Sequence, residues 1–263
     1  LLLAGLYAAG KTTVIEPAPT RDHTERMLRG FGYPVTVEGN EASLESGHKL
    51  TATHIEVPAD ISSAAFFLVA ATIADGSELV LEHVGVNPTR TGVIDILKLM
   101  GADLTLENQR EVGGEPVADI RVRSAKLKGI DIPEDLVPLA IDEFPVLFVA
   151  ACCAEGRTVL RGAEELRVKE SDRIQVMADG LLALGANVEP TPDGIIIEGG
   201  AVLNGGVVHS HGDHRIAMSF AVASLRAAAP IRIHDCANVA TSFPTFLELA
   251  SGVGIRVAEE AKP

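Results

Sequence analysis

The period of the hydrophobic pattern changes in a fixed order four times along the chain. An apolar, helix-like run over residues 1–10 gives way to strand-like alternation at 11–17. Helical spacing follows at 18–32 and alternation at 33–39. The same helix, strand, helix, strand order returns at 61–76, 77–84, 87–101 and 102–108. It returns again at 140–156, 157–163, 168–185 and 186–190, and a last time at 214–230, 231–237, 241–254 and 255–259. Three copies are preceded by a short strand pattern, at 53–60, 129–135 and 206–213, and segments such as 119–124 and 194–200 add a closing strand. The repeating unit is therefore β-α-β-α-β-β, with the opening strand absent from the first copy. Gly32, Gly101, Gly185 and Gly254 fall at the matching helix C-terminus, where a left-handed residue ends the helix.

The first helix of a unit is apolar nearly all round, as at 64–71 and 144–153, which predicts burial. The second is amphipathic: Ile174, Met177, Ala178 and Leu181 recur at i, i+3, i+4, i+7 and form a core stripe. This pattern predicts an α/β (α+β) fold with buried parallel helices inside and sheets outside. The last three units, residues 53–263, make one domain. The first, residues 1–52, is left over as the last unit of an N-terminal domain. The chain opens at Leu1 inside an apolar run, so an N-terminal segment is expected to precede it.

At 263 residues and 47% hydrophobic content the chain can bury such a core. No apolar run approaches the ~20 residues of a membrane span. The net charge of −14 argues against nucleic acid and anionic membranes as partners. Two of the three cysteines, Cys152 and Cys153, are adjacent in an apolar helix, and Cys236 is distant; buried thiols in a reducing cytoplasm fit better than a disulfide framework. The eight histidines are scattered without metal-ligand spacing, so no metal is expected.

Against this acidic background, cations gather where helices begin. Arg21, Arg90, Lys169 with Arg173, and Arg215 stand at or beside predicted helix starts in successive units. A helix N-terminus disfavours a cation by about 0.3–1 kcal/mol unless an anion is shared, and backbone N–H groups with Arg or Lys suit phosphate or carboxylate. The plain alternative is salt bridging, for which Glu170 and Asp172 are at hand. On a helix Lys169 and Arg173 would share a face and Glu170 would meet Arg173. An acid between two cations suits a site that holds anions and moves a proton. Asp142 lies at another helix start, where an N-cap role is the ordinary expectation. A repeat-built anion binder without chemistry remains an alternative, although it gains nothing from Glu170.

RVKESDR at 167–173, GDHRIAMSF at 212–220, ATSFPTF at 240–246, NPTRTG at 87–92, TRDHTERML at 20–28 and IDEFP at 141–145 together resemble the EPSP synthases, most closely their glyphosate-tolerant bacterial class II. The resemblance runs along essentially the whole chain. It implies two domains of three β-α-β-α-β-β units and transfer of an enolpyruvyl group from phosphoenolpyruvate to the 5-hydroxyl of shikimate 3-phosphate, by addition and elimination without a cofactor. It further implies that Asp142 accepts the hydroxyl proton and that Lys169 and Arg21 contact shikimate 3-phosphate. Glu170 would serve proton transfer at the phosphoenolpyruvate methylene, Arg173 and Arg215 would clamp phosphoenolpyruvate, and His214 lies beside that clamp. Thr241 replaces a lysine common in the wider family, as in class II. The family's early Lys-Ser motif, central Arg and Ser-Gln pair have no counterpart in this sequence. The chain alone is thus expected to be inert or very weakly active, with the N-terminal segment as its partner. Rivals are a non-catalytic domain fragment and the sister transferase acting on UDP-N-acetylglucosamine.

Overall fold

The computed structural model describes residues 1–16, 20–200 and 202–260. The expected strand end at Pro17, the helix start at 18–19 and the domain end at 261–263 lie outside the described residues.

Four units follow one another. The first holds α1 (Leu2–Gly5), β1 (Lys11–Ile15), α2 (His23–Gly30), β2 (Thr36–Glu38) and β3 (Glu41–Glu45). The second holds α3 (Ile61–Ile73), β4 (Glu78–Gly85), α4 (Gly92–Leu99), β5 (Asp103–Val112) and β6 (Glu115–Arg123). The third holds α5 (Phe144–Cys153), β7 (Arg157–Leu160), α6 (Arg173–Ala183), β8 (Asn187–Thr191) and β9 (Gly194–Glu198). The fourth holds β10 (Gly206–His209), α7 (His214–Ala223), β11 (Ile231–His234), α8 (Val239–Ser242) and α9 (Phe246–Gly252). Gly32, Gly101, Gly185 and Gly254 all take positive φ, between 75° and 96°, at the ends of the second helices.

Three sheets share one antiparallel order, β1-β3-β2, β4-β6-β5 and β7-β9-β8, in which the closing strand sits in the middle. The fourth sheet is the parallel pair β10-β11. Helices α3, α5 and α7 pack on one another and are buried along nearly their whole length. Strands such as β4 and β11 alternate exposed with partly buried residues, so the sheets form the outer layer. Ile174, Met177, Ala178 and Leu181 are all fully buried, as the stripe predicts.

Two hydrophobic clusters result. One joins Leu2, Leu28, Tyr33, Val35, Ala42 and Leu44; the other runs from Ile61 to Ile255. The first unit meets the second where the long β5–β6 hairpin reaches α2: Arg26 donates to the Gly114 carbonyl at 3.2 Å, at a two-residue Gly113-Gly114 turn whose positive φ values only glycine takes readily. The outer side of the first unit leaves Leu1, Leu3, Tyr7 and Ile15 more than half exposed.

Several expected elements come out differently. The opening strands at 53–60 and 129–135 reduce to isolated parallel bridges, Ala59 to Val84 and Asp131 to Val159. Pro58 and Pro133 lack the N–H that a longer ladder needs. The helix expected to reach Gly10 stops at Gly5, which abuts Thr12. The strand expected at 255–259 is not formed; Ile255 turns into the core and the segment that follows joins no ladder among the described residues. Residues 168–172 form no part of α6. A 3-10 turn ends at Val168, Lys169 is extended, and Asp172 caps α6 by accepting from the Gln175 N–H at 3.0 Å. Arg21 and Arg90 likewise precede their helices, because Asp22 and Thr91 take the cap positions.

Candidate active site

Four cations from three different units surround one carboxylate. Asp142, on the loop into α5, accepts from Arg21 of the first unit. Lys169 Nζ and Arg173 Nη1 each lie 3.5 Å from its Oδ1, and Arg215 Nη2 lies 4.0 Å from its Oδ2. Arg215 Nη1 also donates to the Asp142 carbonyl at 3.1 Å. Burial alone would raise the Asp142 carboxyl, but the charge of Arg215, the hydrogen bond from Arg21 and the charge of Lys169 outweigh it and lower the pKa to about 2. Asp142 does not cap α5. The cap position falls to Glu143, whose side chain makes no capping bond.

Arg173 is fully buried at the first position of α6. Its Nε donates to Asp213 at 2.8 Å and its Nη2 to Glu170 at 2.5 Å. The expected Glu170–Arg173 contact therefore exists, although a turn rather than a helix makes it. Lys169 and Arg173 also meet, not along one helix face but through Asp142. Lys169 further pairs with Glu165, and Arg167 with Asp172 at 2.7 Å. Part of the cationic charge is thus balanced inside the protein, as salt bridging would have it.

Asp213 caps α7 through the Arg215 N–H at 2.9 Å and accepts from Ser171 at 3.1 Å. Burial would raise its carboxyl, but Arg173 outweighs this and holds it below the usual range. His214, next in the chain, is half-buried. Burial and the charge of Arg215 push its imidazole below its ordinary range, so it is neutral at pH 7. Arg90 meets Asp60 at 3.0 Å and Ser62 at 2.5 Å, away from Asp142 itself.

Sequence reasoning gave no role to Glu143, Ser62 or Asp60. Glu143 is 4% exposed, accepts from the Ser62 hydroxyl, and lies 3.8 Å from Arg215. Burial pushes its carboxyl above the usual range. Two consecutive acids are thus shifted in opposite directions. The only available signal was acid at the start of each buried helix. The cysteines are free; burial raises the Cys152 and Cys153 thiols, Cys153 to about 11, which leaves both inert. Among the described residues no group of acids, histidines or cysteines is placed to hold a metal ion, and no helix is long and apolar enough to cross a membrane.

The sequence profile of EPSP synthase (3-phosphoshikimate 1-carboxyvinyltransferase) matches residues 1–249. The chain belongs to the EPSP synthase family. It is 70% identical over 255 residues to the 3-phosphoshikimate 1-carboxyvinyltransferase of Alkalilimnicola ehrlichii, covering 97% of this chain and 57% of that one. It is 68% identical over 257 residues to the enzyme of the same name from Methylococcus capsulatus, covering 98% and 59%. A solved EPSP synthase from Acinetobacter baumannii superposes with a TM-score of 0.94 at 64% identity, over 98% of this chain and 60% of that one. The enolpyruvyl transferase NikO from Streptomyces tendae superposes with a TM-score of 0.75 at 18% identity, over the whole of this chain and 59% of that one, and shares the fold. The expected enolpyruvyl transferase fold is therefore the observed one. The chain spans less than two thirds of the length of these relatives.

Proposed function

We propose that this chain is the larger part of an enzyme that moves the enolpyruvyl group of phosphoenolpyruvate to the 5-hydroxyl of shikimate 3-phosphate and releases phosphate. The observation that carries the reading is the convergence of Arg21, Lys169, Arg173 and Arg215 on Asp142, with Glu170 held at Arg173, in a member of this family. Two polyanionic substrates need several cations, and charge that moves during reaction is best met by groups already in place.

In this reading Lys169 and Arg21 bind shikimate 3-phosphate, and Arg173 and Arg215 hold phosphoenolpyruvate. Asp142 accepts the hydrogen bond of the 5-hydroxyl. While ringed by cations its carboxylate is a poor base. As substrate phosphates and carboxylate draw the cations to themselves, its basicity recovers and it takes the hydroxyl proton while the oxygen adds to C2 of phosphoenolpyruvate. Glu170 delivers a proton to the methylene carbon. The adduct then expels phosphate, which leaves with the proton taken from the hydroxyl, while Glu170 takes a proton back from the methyl carbon to form the enol ether. His214, neutral beside Arg215, is an uncharged hydrogen-bonding group at the donor end.

Residues 1–52 are the last unit of a domain whose remainder supplies further substrate contacts, and residues 53–263 are the second domain. The exposed Leu1, Leu3 and Tyr7 are the surface that the remainder covers, a soluble cytoplasmic setting suits the whole, and the 263-residue chain alone is inert. The test is phosphate release from phosphoenolpyruvate in a chain completed to the relatives' length. Release that requires shikimate 3-phosphate, and that falls about 10²–10⁴-fold in Glu170→Gln with the fold unchanged, supports the reading. Release that is indifferent to shikimate 3-phosphate sinks it.

A further inference from the structure

Each of the three buried helices begins at an acid, and each acid meets an arginine. Asp60 lies 3.0 Å from Arg90, Asp213 lies 2.8 Å from Arg173, and Glu143 lies 3.8 Å from Arg215. Asp60 and Asp213 also do the ordinary work of an N-cap, accepting from Ser62 and Ser63 N–H and from Arg215 N–H respectively. Glu143 departs from this pattern. It sits at the cap position of α5 without capping, and turns its carboxyl to the Ser62 hydroxyl on α3. Ser62 in turn accepts from Arg90 at 2.5 Å. A nearly inaccessible carboxyl that forgoes its local role is oriented by something else, and the group in front of it is Arg215. The Arg215 guanidinium rests between two consecutive residues, its Nη1 3.1 Å from the Asp142 carbonyl and 3.8 Å from Glu143 Oε1.

We propose that Glu143 is the positioning residue for Arg215. Backed by Ser62 and Arg90, it fixes the guanidinium beside Asp142 and so sets how tightly the donor anion is held. The inference rests on the donor-site reading above.

The charge state of Glu143 matters to this role. The groups facing it are Ser62 from α3, Arg90 from the loop before α4, Arg215 from α7 and Asp142 on its own loop. Burial raises its carboxyl more than the two arginines lower it. Pushed toward its neutral form, Glu143 orients Arg215 while neutralising it less than an ordinary carboxylate would, which leaves more of the guanidinium charge to the ligand.

Two measurements on a chain completed to the relatives' length decide the matter. One is ¹⁵N spectroscopy of arginine side chains, with the Arg215 Nε signal assigned by Arg215→Lys. The other is calorimetric titration of phosphoenolpyruvate in the presence of shikimate 3-phosphate. Glu143→Ala is expected to broaden the Arg215 signal, leave that of Arg173 in place, and weaken phosphoenolpyruvate binding by about tenfold or more, since small misplacements of positioning groups carry effects of that size. Glu143→Gln, which keeps the shape and the hydrogen bonding without a charge, is expected to restore the signal and the affinity. An Arg215 signal unchanged in Glu143→Ala overturns the proposal, as does a Glu143→Gln variant as disrupted as the alanine. So does joint loss of the Arg173 signal, which would mark a general structural role. If the unsubstituted protein binds no phosphoenolpyruvate, the donor-site reading fails by itself, and the Arg215 signal still decides the part played by Glu143.

Discussion

Arg173 is completely shielded from solvent and places its Nε 2.8 Å from a carboxylate oxygen of Asp213, forty residues further along the chain. The pair ties the start of α6 to the start of α7, and Asp213 is at the same time the cap of α7. It joins the third unit to the fourth at the point where the candidate site lies. Glu170, Asp142 and Asp213 all meet the one guanidinium.

Breaking that pair leaves a buried carboxylate without its counter-charge. Arg173→Met is expected to cost about 3–5 kcal/mol of folding stability, the range seen when one partner of a buried ion pair is removed. Arg173→Lys keeps the charge but not the planar fork, and is expected to lose less. Denaturant titration of the three proteins checks this. A loss below about 1 kcal/mol in Arg173→Met would mean that Asp213 is compensated by other groups and that the pair is not what joins the units.

Asp142 gives the fold an acid limb. Its carboxyl is lowered from 3.8 to about 2, so the folded state holds the ionised form more firmly than the unfolded chain does. The resulting stability is fully present above about pH 5 and is lost as pH falls through the folded value near 2. Asp142→Asn is expected to be less stable than the parent at pH 7 and to show a shallower decline between pH 5 and pH 2. Melting temperatures across that range test the idea, and parallel curves for the two proteins would refute it.

The repeat was legible because helix and strand periods, and a glycine at each helix end, are local properties of the sequence. Burial of α3 and α5 was legible for the same reason: residues such as Phe66, Leu68, Phe148 and Val149 leave no polar face. The site was legible only in part. The cations were visible as misplaced charges near helix starts, but the sequence read Lys169 and Arg173 onto one helix, and Asp172 ends that possibility by capping α6. Apart from the resemblance, nothing in the residue pattern told Glu143 from Asp142. One carboxyl is ringed by cations and the other buried against Ser62 because of how α3, α5 and α7 converge, and that convergence is a property of packing between units. The short opening strands failed for a local reason that was present in the sequence, the prolines at 58 and 133.

Helix α6 crosses α7 with no space to spare at Gly180. A methyl group there would lie 2.2 Å from Phe220 Cζ, and the Phe220 ring is itself fully buried. Glycine inside a helix is ordinarily less favourable than alanine by about 0.5–1 kcal/mol, so on propensity alone Gly180→Ala would stabilise α6. The contact is expected to reverse the sign, with a net loss of about 1–3 kcal/mol from overpacking. Thermal unfolding decides it: a raised melting temperature would show that the ring yields and that propensity wins.

One buried side chain stands at the centre of the contact between the first unit and the second. Asn87, 2% exposed, donates through Nδ2 to Asp22 at 2.7 Å and to Glu115 at 3.0 Å, while its Oδ1 accepts from the Thr89 N–H at 2.9 Å. Glu115 also meets His23 Nδ1 at 2.7 Å, and Asp22 meets Arg26 Nε at 2.8 Å. Burial would raise Asp22, but hydrogen bonds from Arg26 and Asn87 outweigh it and hold its carboxyl low. The amide therefore bridges two acids, one from each unit, by donating to an oxygen of each that His23 and Arg26 do not engage. Asn87→Ala is expected to weaken this junction by about 1–3 kcal/mol, the cost of leaving partly buried acceptors unpaired. Because α2 carries Arg21 on its approach, loosening the junction also frees the cation that the first unit lends to Asp142. Hydrogen exchange separates this from a general loss of stability. Amides of α2 should exchange faster in Asn87→Ala while those of α6 keep their rates; equal acceleration in both, or none in α2, would mean that the units are held together by other contacts.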